Sequence, residues 1–124
     1  MAKKTILIVD DEYLILESNK EILKKAGFNV FTATSGKEAL RKIKSRKIDL
    51  ALLDVLMPEM TGIDLAKKIR KNSKLNDVKL VFLTILSFSN DQRRELKKYN
   101  ITDYIQKPFD TEELLNKIDK LLKA

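Results

Sequence analysis

Five apolar runs alternate with amphipathic stretches along the chain, and each run predicts a short strand. The predicted strands cover residues 5–10, 29–34, 48–54, 78–84 and 103–106. The third run is almost wholly aliphatic, which is typical of a strand buried on both faces of a parallel sheet. We expect it to end near Asp54, because Pro58 cannot continue a central strand.

The stretches between the first three runs predict two helices with recognisable ends. The first helix opens at Asp11 or Glu12 and runs to about residue 26, where Gly27 is the natural residue to end it. Ser35 and Glu38 have the spacing of a capping box, which predicts the start of the second helix.

Three further helices follow, and they differ in how much apolar surface they offer. The third is marked by Ile63, Leu65, Ala66 and Ile69. The fourth, at about residues 89–99, has a thin apolar stripe, so we expect it to be the helix held most weakly. The last follows a second capping-box-like pair, Asp110 and Glu113, and carries a regular amphipathic pattern.

Alternation of five strands with five helices predicts an α/β fold with a parallel sheet and right-handed crossovers. We expect a flavodoxin-like, doubly wound sheet with strand order 2-1-3-4-5 and helices on both faces. The chain of 124 residues suits one domain, and we find no internal repeat or interdomain linker.

Composition narrows the chemistry. The chain has no cysteine and no histidine, so a metal ion would be held by oxygen ligands, which favours magnesium, calcium or manganese over zinc. The net charge of +7 suggests a nucleic-acid surface, but most of the basic residues lie late in predicted helices, where they complement the helix macrodipole. Without a signal-peptide pattern or a membrane-length apolar run, we expect a cytoplasmic protein.

Polar residues end the predicted strands on one edge of the sheet. They are Asp10 and Asp11 after strand 1, Asp54 at strand 3, Thr84 at strand 4 and Lys107 after strand 5. Strands 1 and 3 are neighbours at the switch point of a 2-1-3-4-5 sheet, so the three carboxylates should converge there. Two such charges about 4 Å apart repel by roughly 4 kcal/mol, and the cluster should therefore hold protons or recruit a cation.

Four segments together resemble the receiver domains of two-component response regulators. They are ILIVDDE at residues 6–12, LDxxMPxMxG at residues 53–62, Thr84, and YxxKPF at residues 104–109. The resemblance implies that Asp54 accepts a phosphoryl group. It also implies that Asp11, Asp54 and the backbone carbonyl of Leu56 ligate Mg²⁺, with Mn²⁺ as a second candidate, and that Asp10 acts through water.

The same resemblance implies a signalling role. Lys107 would offset charge on the phosphoryl oxygens, Thr84 would turn its hydroxyl toward them, and Tyr104 would swing inward behind it. The face of helix 4, strand 5 and helix 5 would then change its protein contacts. The bond corresponding to Lys107–Pro108 is often cis in such domains. Tyr104 considered alone is equally typical of a half-buried strand aromatic.

The implied partners are a sensor histidine kinase or a histidine phosphotransfer protein, which would donate the phosphoryl group, and a downstream target protein. We expect no membrane contact and no direct nucleic-acid contact. The protein should be a monomer or a weak, phosphorylation-dependent dimer. It should not be an enzyme beyond its own phosphorylation and slow dephosphorylation.

Three apolar residues near the predicted site depart from or qualify this pattern. The residue after the switch threonine is usually small in receiver domains, and here it is Ile85, which could narrow access to the phosphoryl group. Leu56 and Leu86 would flank the site and hinder an attacking water. We therefore hypothesise that a phosphoryl group on Asp54 is hydrolysed slowly.

Two alternatives remain open at the level of sequence. The chain could be the receiver part of a longer DNA-binding transcription regulator. It could also be a Mg²⁺-dependent phosphohydrolase with an aspartyl nucleophile, although Val55 and Leu56 follow Asp54 where such an enzyme would need a second acid.

Overall fold

The computed structural model describes residues 3–101 and 103–123, which form a parallel sheet covered by helices on both faces. The strands are β1 (Thr5–Val9), β2 (Asn29–Ala33), β3 (Leu50–Asp54), β4 (Lys79–Thr84) and β5 (Asp103–Gln106). The helices are α1 (Tyr13–Lys25), α2 (Gly36–Ser45), α3 (Gly62–Arg70), α4 (Asn90–Lys97) and α5 (Thr111–Lys123). A short 3₁₀ turn, Ser73–Leu75, lies in the polar connector before β4.

The strand order is β2-β1-β3-β4-β5 with every pair parallel, as the alternating pattern predicted. This is the flavodoxin-like arrangement, in which β1 and β3 are neighbours. Val9 is in register with Leu53, so the residues that follow β1 and end β3 emerge side by side.

Alternate residues of the central strands face opposite sides of the sheet and build two apolar layers. On one side, Leu7, Val9, Leu53 and Phe82 pack with residues of α2, α3 and α4. On the other side, the strands pack with α1 and α5 through Leu16, Leu23, Leu114 and Ile118. All five residues of β3 are buried, which confirms the prediction for this run.

Several predicted ends need correction. Helix α1 begins at Tyr13, one or two residues later than expected, and its N-cap residue Glu12 makes no side-chain cap. At α2, Ser35 caps the Glu38 N–H at 3.2 Å, but the Glu38 carboxylate reaches back to the Thr34 N–H rather than to Ser35, so the predicted capping box is only half formed.

Helix α4 is shorter than predicted and is capped at Ser89 by a reciprocal pair with Gln92. Leu96 is its buried residue, and Tyr99, after its end, is only half buried. The thin apolar stripe predicted for this helix is confirmed, because little of α4 contacts the core.

The C-terminal end of α4 is tied to the rest of the fold by the half-buried guanidinium of Arg70. It donates to the carbonyl oxygens of Tyr99 at 2.8 Å, Leu75 at 2.8 Å and Val78 at 2.6 Å, with a longer bond to Asn100 at 3.4 Å. Burial lowers the pKa of Arg70 from its usual value. One side chain therefore joins α3, the connector and the loop before β5.

No helix within residues 3–101 and 103–123 combines the length and the apolar character that a membrane span requires. Each of the five helices has basic residues in its last turn, as predicted. Four other basic residues lie just beyond helix ends: Arg46, Lys47, Lys71 and Lys98.

Candidate functional site

Three carboxylates meet at the carboxyl edge of β1 and β3. Asp10 and Asp11 follow β1, and Asp54 is the last residue of β3. Each of the three offers a carboxylate oxygen within 4.8 Å of the others. The convergence expected from the strand order is therefore present, and it follows from the parallel register of the two strands.

Asp10 is fully buried and is held in place by backbone hydrogen bonds on two sides. Its N–H donates to the Ala33 carbonyl at 3.1 Å, and its Oδ1 accepts the Glu12 N–H at 2.9 Å. The other carboxylate oxygen, Oδ2, has no hydrogen-bond partner within the described part of the chain. A buried oxygen of this kind is costly unless a positive group lies nearby.

Lys107 supplies such a group. Its Nζ lies 3.6 Å from Asp10 Oδ2 and 3.8 Å from Asp54 Oδ1. The backbone places it firmly, because the Lys107 N–H donates to the Thr84 carbonyl at 2.9 Å directly after β5. The Lys107–Pro108 peptide bond is cis. One ammonium thus stands between the two most buried carboxylates.

The Asp54 carboxyl is a weaker acid than an ordinary aspartate. Burial is the largest cause and raises its pKa to about 6, with further raising contributions from Asp10 and Asp11. The charge of Lys107 and the Leu56 N–H, which donates to Asp54 Oδ1 at 3.4 Å, oppose the rise. The carboxylate is held in a site that disfavours its own charge.

These residues fit a small divalent cation. The donors are carboxylate oxygens, and the buried Asp10 Oδ2 has an ion pair with Lys107 but no hydrogen bond within the described residues. A single ammonium leaves the group of three acids with excess negative charge. Oxygen-rich sites of this charge suit Mg²⁺, which commonly binds one or two carboxylates and keeps several waters. The sequence contains no cysteine thiolate and no histidine imidazole that could serve as a ligand.

Thr84 and Tyr104 lie on neighbouring strands, with Thr84 at the carboxyl end of β4. The Thr84 hydroxyl oxygen accepts the Leu86 N–H at 2.9 Å, so it is engaged with its own loop. The Tyr104 ring is half buried, with ring centroids of Phe88 and Phe82 at 5.0 and 6.1 Å and the Arg93 guanidinium 5.0 Å away. Burial raises the pKa of the Tyr104 hydroxyl, and Arg93 opposes the rise.

The aromatic cluster was not predicted as a unit. Phe88 lies in the irregular segment before α4, outside every predicted strand and stripe, yet it is buried between Phe82 and Tyr104. Its only signal in the sequence is a single aromatic residue among polar ones. It connects the loop that follows Thr84 to the side chain of Tyr104.

Gly62 is a second residue whose structural importance sequence reasoning missed. A Cβ atom at Gly62 would lie 2.2 Å from the Asp54 carbonyl oxygen, and the Gly62 N–H donates to the Val55 carbonyl at 3.0 Å. The loop after β3 therefore returns against the backbone of Asp54, which only glycine permits. The motif LDxxMPxMxG contained this residue but did not reveal the contact.

Three apolar side chains stand exposed on the loops that leave β3 and β4. Ile85 is 63% exposed, Leu56 is 51% exposed and Leu86 is 40% exposed. Leu56 follows Asp54 by two residues, and Ile85 and Leu86 follow Thr84 directly. The positions that closely follow Asp54 and Thr84 on these loops thus expose hydrocarbon side chains.

The doubly wound α/β sheet has its acidic cluster and a lysine at the carboxyl ends of its strands, where sheets of this class bind ligands. The model of the response regulator receiver domain family matches residues 6–119. The chain belongs to this family.

Relatives of known name agree with the family. The chain is 38% identical over 118 residues to the transcriptional regulatory protein CrdR of Helicobacter pylori, covering 95% of this chain and 54% of CrdR. It is 38% identical over 117 residues to the response regulator SaeR of Staphylococcus aureus, covering 94% of this chain and 50% of SaeR. The chain spans about half the length of the curated relatives it matches.

Solved structures show the same fold over nearly their whole length. The chemotaxis protein CheY4 of Vibrio cholerae superposes with a TM-score of 0.89 at 33% identity, covering 97% of this chain and 99% of that one. The response regulator TrrA of Thermotoga maritima, solved in complex with Mg²⁺ and BeF, superposes with a TM-score of 0.80 at 40% identity, covering 95% and 98%.

Proposed function

We propose that this receiver domain is a phosphorylation switch in which Asp54 accepts the phosphoryl group. One observation carries the proposal: Asp54 ends a buried strand within 4.8 Å of two further carboxylates and 3.8 Å from the Lys107 ammonium. Structural ion pairs do not require three acids around one lysine. Three acids around one lysine suit a site that binds a cation beside a phosphoryl group.

The chemistry begins with the Asp54 carboxylate as nucleophile. Its oxygen attacks the phosphorus of a phosphohistidine or a small phosphodonor, the new O–P bond forms as the donor's bond to phosphorus breaks, and an acyl phosphate results. Lys107 offsets negative charge on the phosphoryl oxygens. Residues 1–124 contain no histidine, so the donor histidine lies outside this domain.

Mg²⁺ is the proposed cofactor, with Mn²⁺ as a second candidate. Asp11, Asp54 and the Leu56 backbone carbonyl would hold the ion directly, and Asp10 would act through water. When bound, the ion supplies charge stabilisation for the transferring phosphoryl group. The buried Asp10 Oδ2, which has no hydrogen bond within the described residues, supports the fit, and so does the Mg²⁺ complex of the similar TrrA domain.

The proposed switch runs from the site to the face formed by α4, β5 and α5. Thr84 would exchange its present bond with the Leu86 N–H for one to the phosphoryl group. Tyr104 would follow by moving inward, and Phe88 lies against its ring in position to respond. The outcome is a shift in population between two arrangements of this face, which alters binding to a downstream protein.

The proposed partners and setting follow from the family. A sensor histidine kinase or a histidine phosphotransfer protein donates the phosphoryl group in the cytoplasm, and the domain is a monomer or a weak dimer that forms on phosphorylation. Residues 1–124 would constitute one receiver domain without enzymatic turnover of a separate substrate. The match over residues 6–119 supports this extent.

A second candidate concerns the protein as a whole. CrdR carries the name of a transcriptional regulatory protein, and this chain spans 54% of it. That ratio supports the alternative in which this receiver domain regulates a DNA-binding output domain. Phosphorylation of Asp54 would be the same in both cases, and only the target would differ.

The proposal is tested by intact mass spectrometry after incubation with acetyl phosphate and Mg²⁺. We expect one phosphoryl adduct that requires Mg²⁺ and is absent from Asp54→Asn. Asp119→Asn, an identical change on the exposed surface of α5, should retain the adduct. An adduct that persists in Asp54→Asn would overturn the assignment of the acceptor.

A further inference from the structure

A groove lies between α2 and the loop that follows β3, and none of the three acidic residues of the site lines it. Its volume is about 560 Å³, and its surface is mostly apolar. Leu40 of α2 and Pro58 and Met60 of the loop supply the hydrocarbon. None of these residues takes part in the proposed phosphorylation chemistry, so the groove has no assigned purpose.

The α2 side of the groove carries three cations on one helical face. Lys37, Arg41 and Lys44 are spaced by four and three residues, which places them along one side of the helix, and all three are exposed. Within the described residues, no carboxylate comes within 4.0 Å of any of them. Lys42, on another side of α2, differs because it donates to the Thr32 carbonyl.

The helix macrodipole does not account for this row of charges. Lys44 lies in the last turn, where a cation is favoured, but Lys37 lies in the first turn, where the macrodipole disfavours positive charge. The first-turn acid, Glu38, is engaged with the Thr34 N–H. Lys37 and Arg41 therefore bring charge to the groove without a stabilising role inside the fold.

The groove is shaped by close packing between helix and loop. A Cβ atom at Gly36 would lie 2.4 Å from the Met60 sulfur, so the loop side chain seats directly on the start of α2. The Met60 N–H donates to the Pro58 carbonyl at 2.7 Å, and Glu59 has a φ of 67°. These contacts fix the loop as one wall, with Glu59 as the only acid in the lining.

We propose that this groove binds an acidic, amphipathic segment of a partner protein. Apolar side chains of the segment lie on Leu40 and Met60, and its aspartates or glutamates meet the three cations of α2. Charge complementarity selects this occupant, because the lining carries three positive charges and one negative charge around an apolar floor. The proposal is independent of phosphorylation at Asp54.

A nucleic acid is the other polyanion that such charges attract, and the lining favours it less. Phosphate recognition needs no apolar floor, and none of the nine lining residues is an aromatic on which a base could stack. An amphipathic peptide helix can contact both the apolar floor of the groove and its three cations. Lys37 and Lys44 are separated by about 10 Å along α2, which two turns of a partner helix match.

The test uses a synthetic peptide of about 15 residues, long enough to populate a helix, with glutamate and leucine on adjacent faces. We titrate it into the ¹⁵N-labelled chain and follow amide shifts. The proposal predicts saturable shifts confined to α2 and the loop after β3. Absence of shifts there, or shifts scattered over all lysine-bearing helices, would overturn it.

Two double variants separate the groove from general electrostatics. The double variant Lys37→Glu with Arg41→Glu should weaken peptide binding by about fivefold or more, because each change replaces an ion pair with a repulsive contact to the acidic peptide. Lys68→Glu with Lys97→Glu changes the net charge equally on exposed positions outside the groove and should leave affinity unchanged. Equal weakening by both pairs would contradict the proposal. If a single-stranded oligonucleotide binds more tightly than the peptide and shifts the same amides, the proposed peptide partner is wrong and the groove binds nucleic acid.

Discussion

Asp54 is held in a site that raises its pKa to about 6, and this has a measurable consequence for folding. An unfolded aspartate titrates near 3.8, so between about pH 4 and pH 6 the folded state binds more protons than the unfolded state. The free energy of unfolding therefore falls as the pH rises through this window, by up to about 3 kcal/mol from this group alone. The ionised Asp54 carboxylate at neutral pH therefore lowers the stability of the folded protein.

Replacement of Asp54 by asparagine should consequently stabilise the metal-free protein. We expect a gain of about 1–3 kcal/mol at pH 7 and a weaker dependence of stability on pH between 4 and 6, measured by urea unfolding at several pH values. Asp119→Asn, on the exposed surface of α5, serves as the control and should change little. A loss of stability at pH 7 in Asp54→Asn would show that the carboxylate is stabilised by its surroundings.

The exposed leucines beside the site give a prediction about phosphoryl lifetime. Leu56→Asn and Leu86→Asn should each speed hydrolysis of the phosphorylated protein severalfold, because a polar side chain can orient the attacking water where leucine cannot. The rate of loss of the phosphoryl adduct measures this. Leu14→Asn, the same change at an exposed position of α1, should leave the rate unchanged. Rapid loss from the wild-type protein would refute slow hydrolysis.

Gly62 packs against the backbone of Asp54, whereas Gly36 packs against the side chain of Met60. The added methyl of Gly62→Ala meets the Asp54 carbonyl at 2.2 Å and should cost about 3 kcal/mol of unfolding free energy. Gly36→Ala meets the Met60 side chain, with Sδ, Cγ and Cβ at 2.4, 3.0 and 3.1 Å. Because a side chain can move more readily than backbone, we expect a smaller loss of about 1 kcal/mol. Thermal or urea unfolding of both variants decides this, and equal losses would contradict the distinction.

The convergence of the site residues was predictable from the sequence. The predicted strand ends and the strand order together place these residues at the same edge of the sheet. The close contact of Gly62 was not predictable, since it depends on how the loop after β3 returns to Asp54. Phe88 was missed for a similar reason. An isolated aromatic in an irregular segment has no periodicity, and only the packing against Phe82 and Tyr104 reveals it.

At the level of elements, α4 is the helix with least apolar surface, and its C-terminal end depends on Arg70. Replacing Arg70 with methionine should cost about 2–4 kcal/mol, because three or four backbone carbonyls lose a charged donor together. Hydrogen exchange should show faster opening around Tyr99 and Asn100. The exposed neighbour variant Lys68→Met should stay within about 0.5 kcal/mol of wild type. An unchanged stability for Arg70→Met would mean that water replaces the guanidinium.

The sequence could not distinguish Arg70 from its basic neighbours in the last turn of α3. Lys67 and Lys68 fit the macrodipole pattern equally well, and the pattern says nothing about which cation turns inward. Element order and type were predictable from hydrophobic periodicity, while helix ends shifted by one or two residues. The half-formed cap at α2 illustrates the reason for such shifts. The Glu38 carboxylate accepts the Thr34 N–H instead of the Ser35 N–H that the capping-box spacing predicts.

For the whole molecule, cation binding and folding should be linked. If Asp10, Asp11 and Asp54 hold Mg²⁺ in the folded state alone, the ion at about 100 times its dissociation constant should stabilise the protein by about 2.7 kcal/mol. Thermal unfolding with and without MgCl₂ measures this shift. Asp11→Asn should lose most of it, and Asp119→Asn should keep it. A shift that is equal in both variants would place the ion elsewhere.

The fold as a whole was readable because patterning, strand order and the position of the polar strand ends all agree. What the molecule acts upon is set by surfaces, and there the sequence is less informative. The same excess of lysine and arginine can complement helix ends or form a binding face, as α2 shows. Only the placement of Leu40, Met60 and the three cations around one groove separates these cases.

The most direct test of the central claim is to locate the phosphoryl group chemically. After incubation with acetyl phosphate and Mg²⁺, borohydride reduces an aspartyl phosphate to homoserine, which peptide mapping by mass spectrometry assigns to a residue. We predict homoserine at residue 54 and at neither Asp10 nor Asp11. Homoserine at one of those residues, or an adduct that resists reduction and maps to a hydroxyl, would contradict the account.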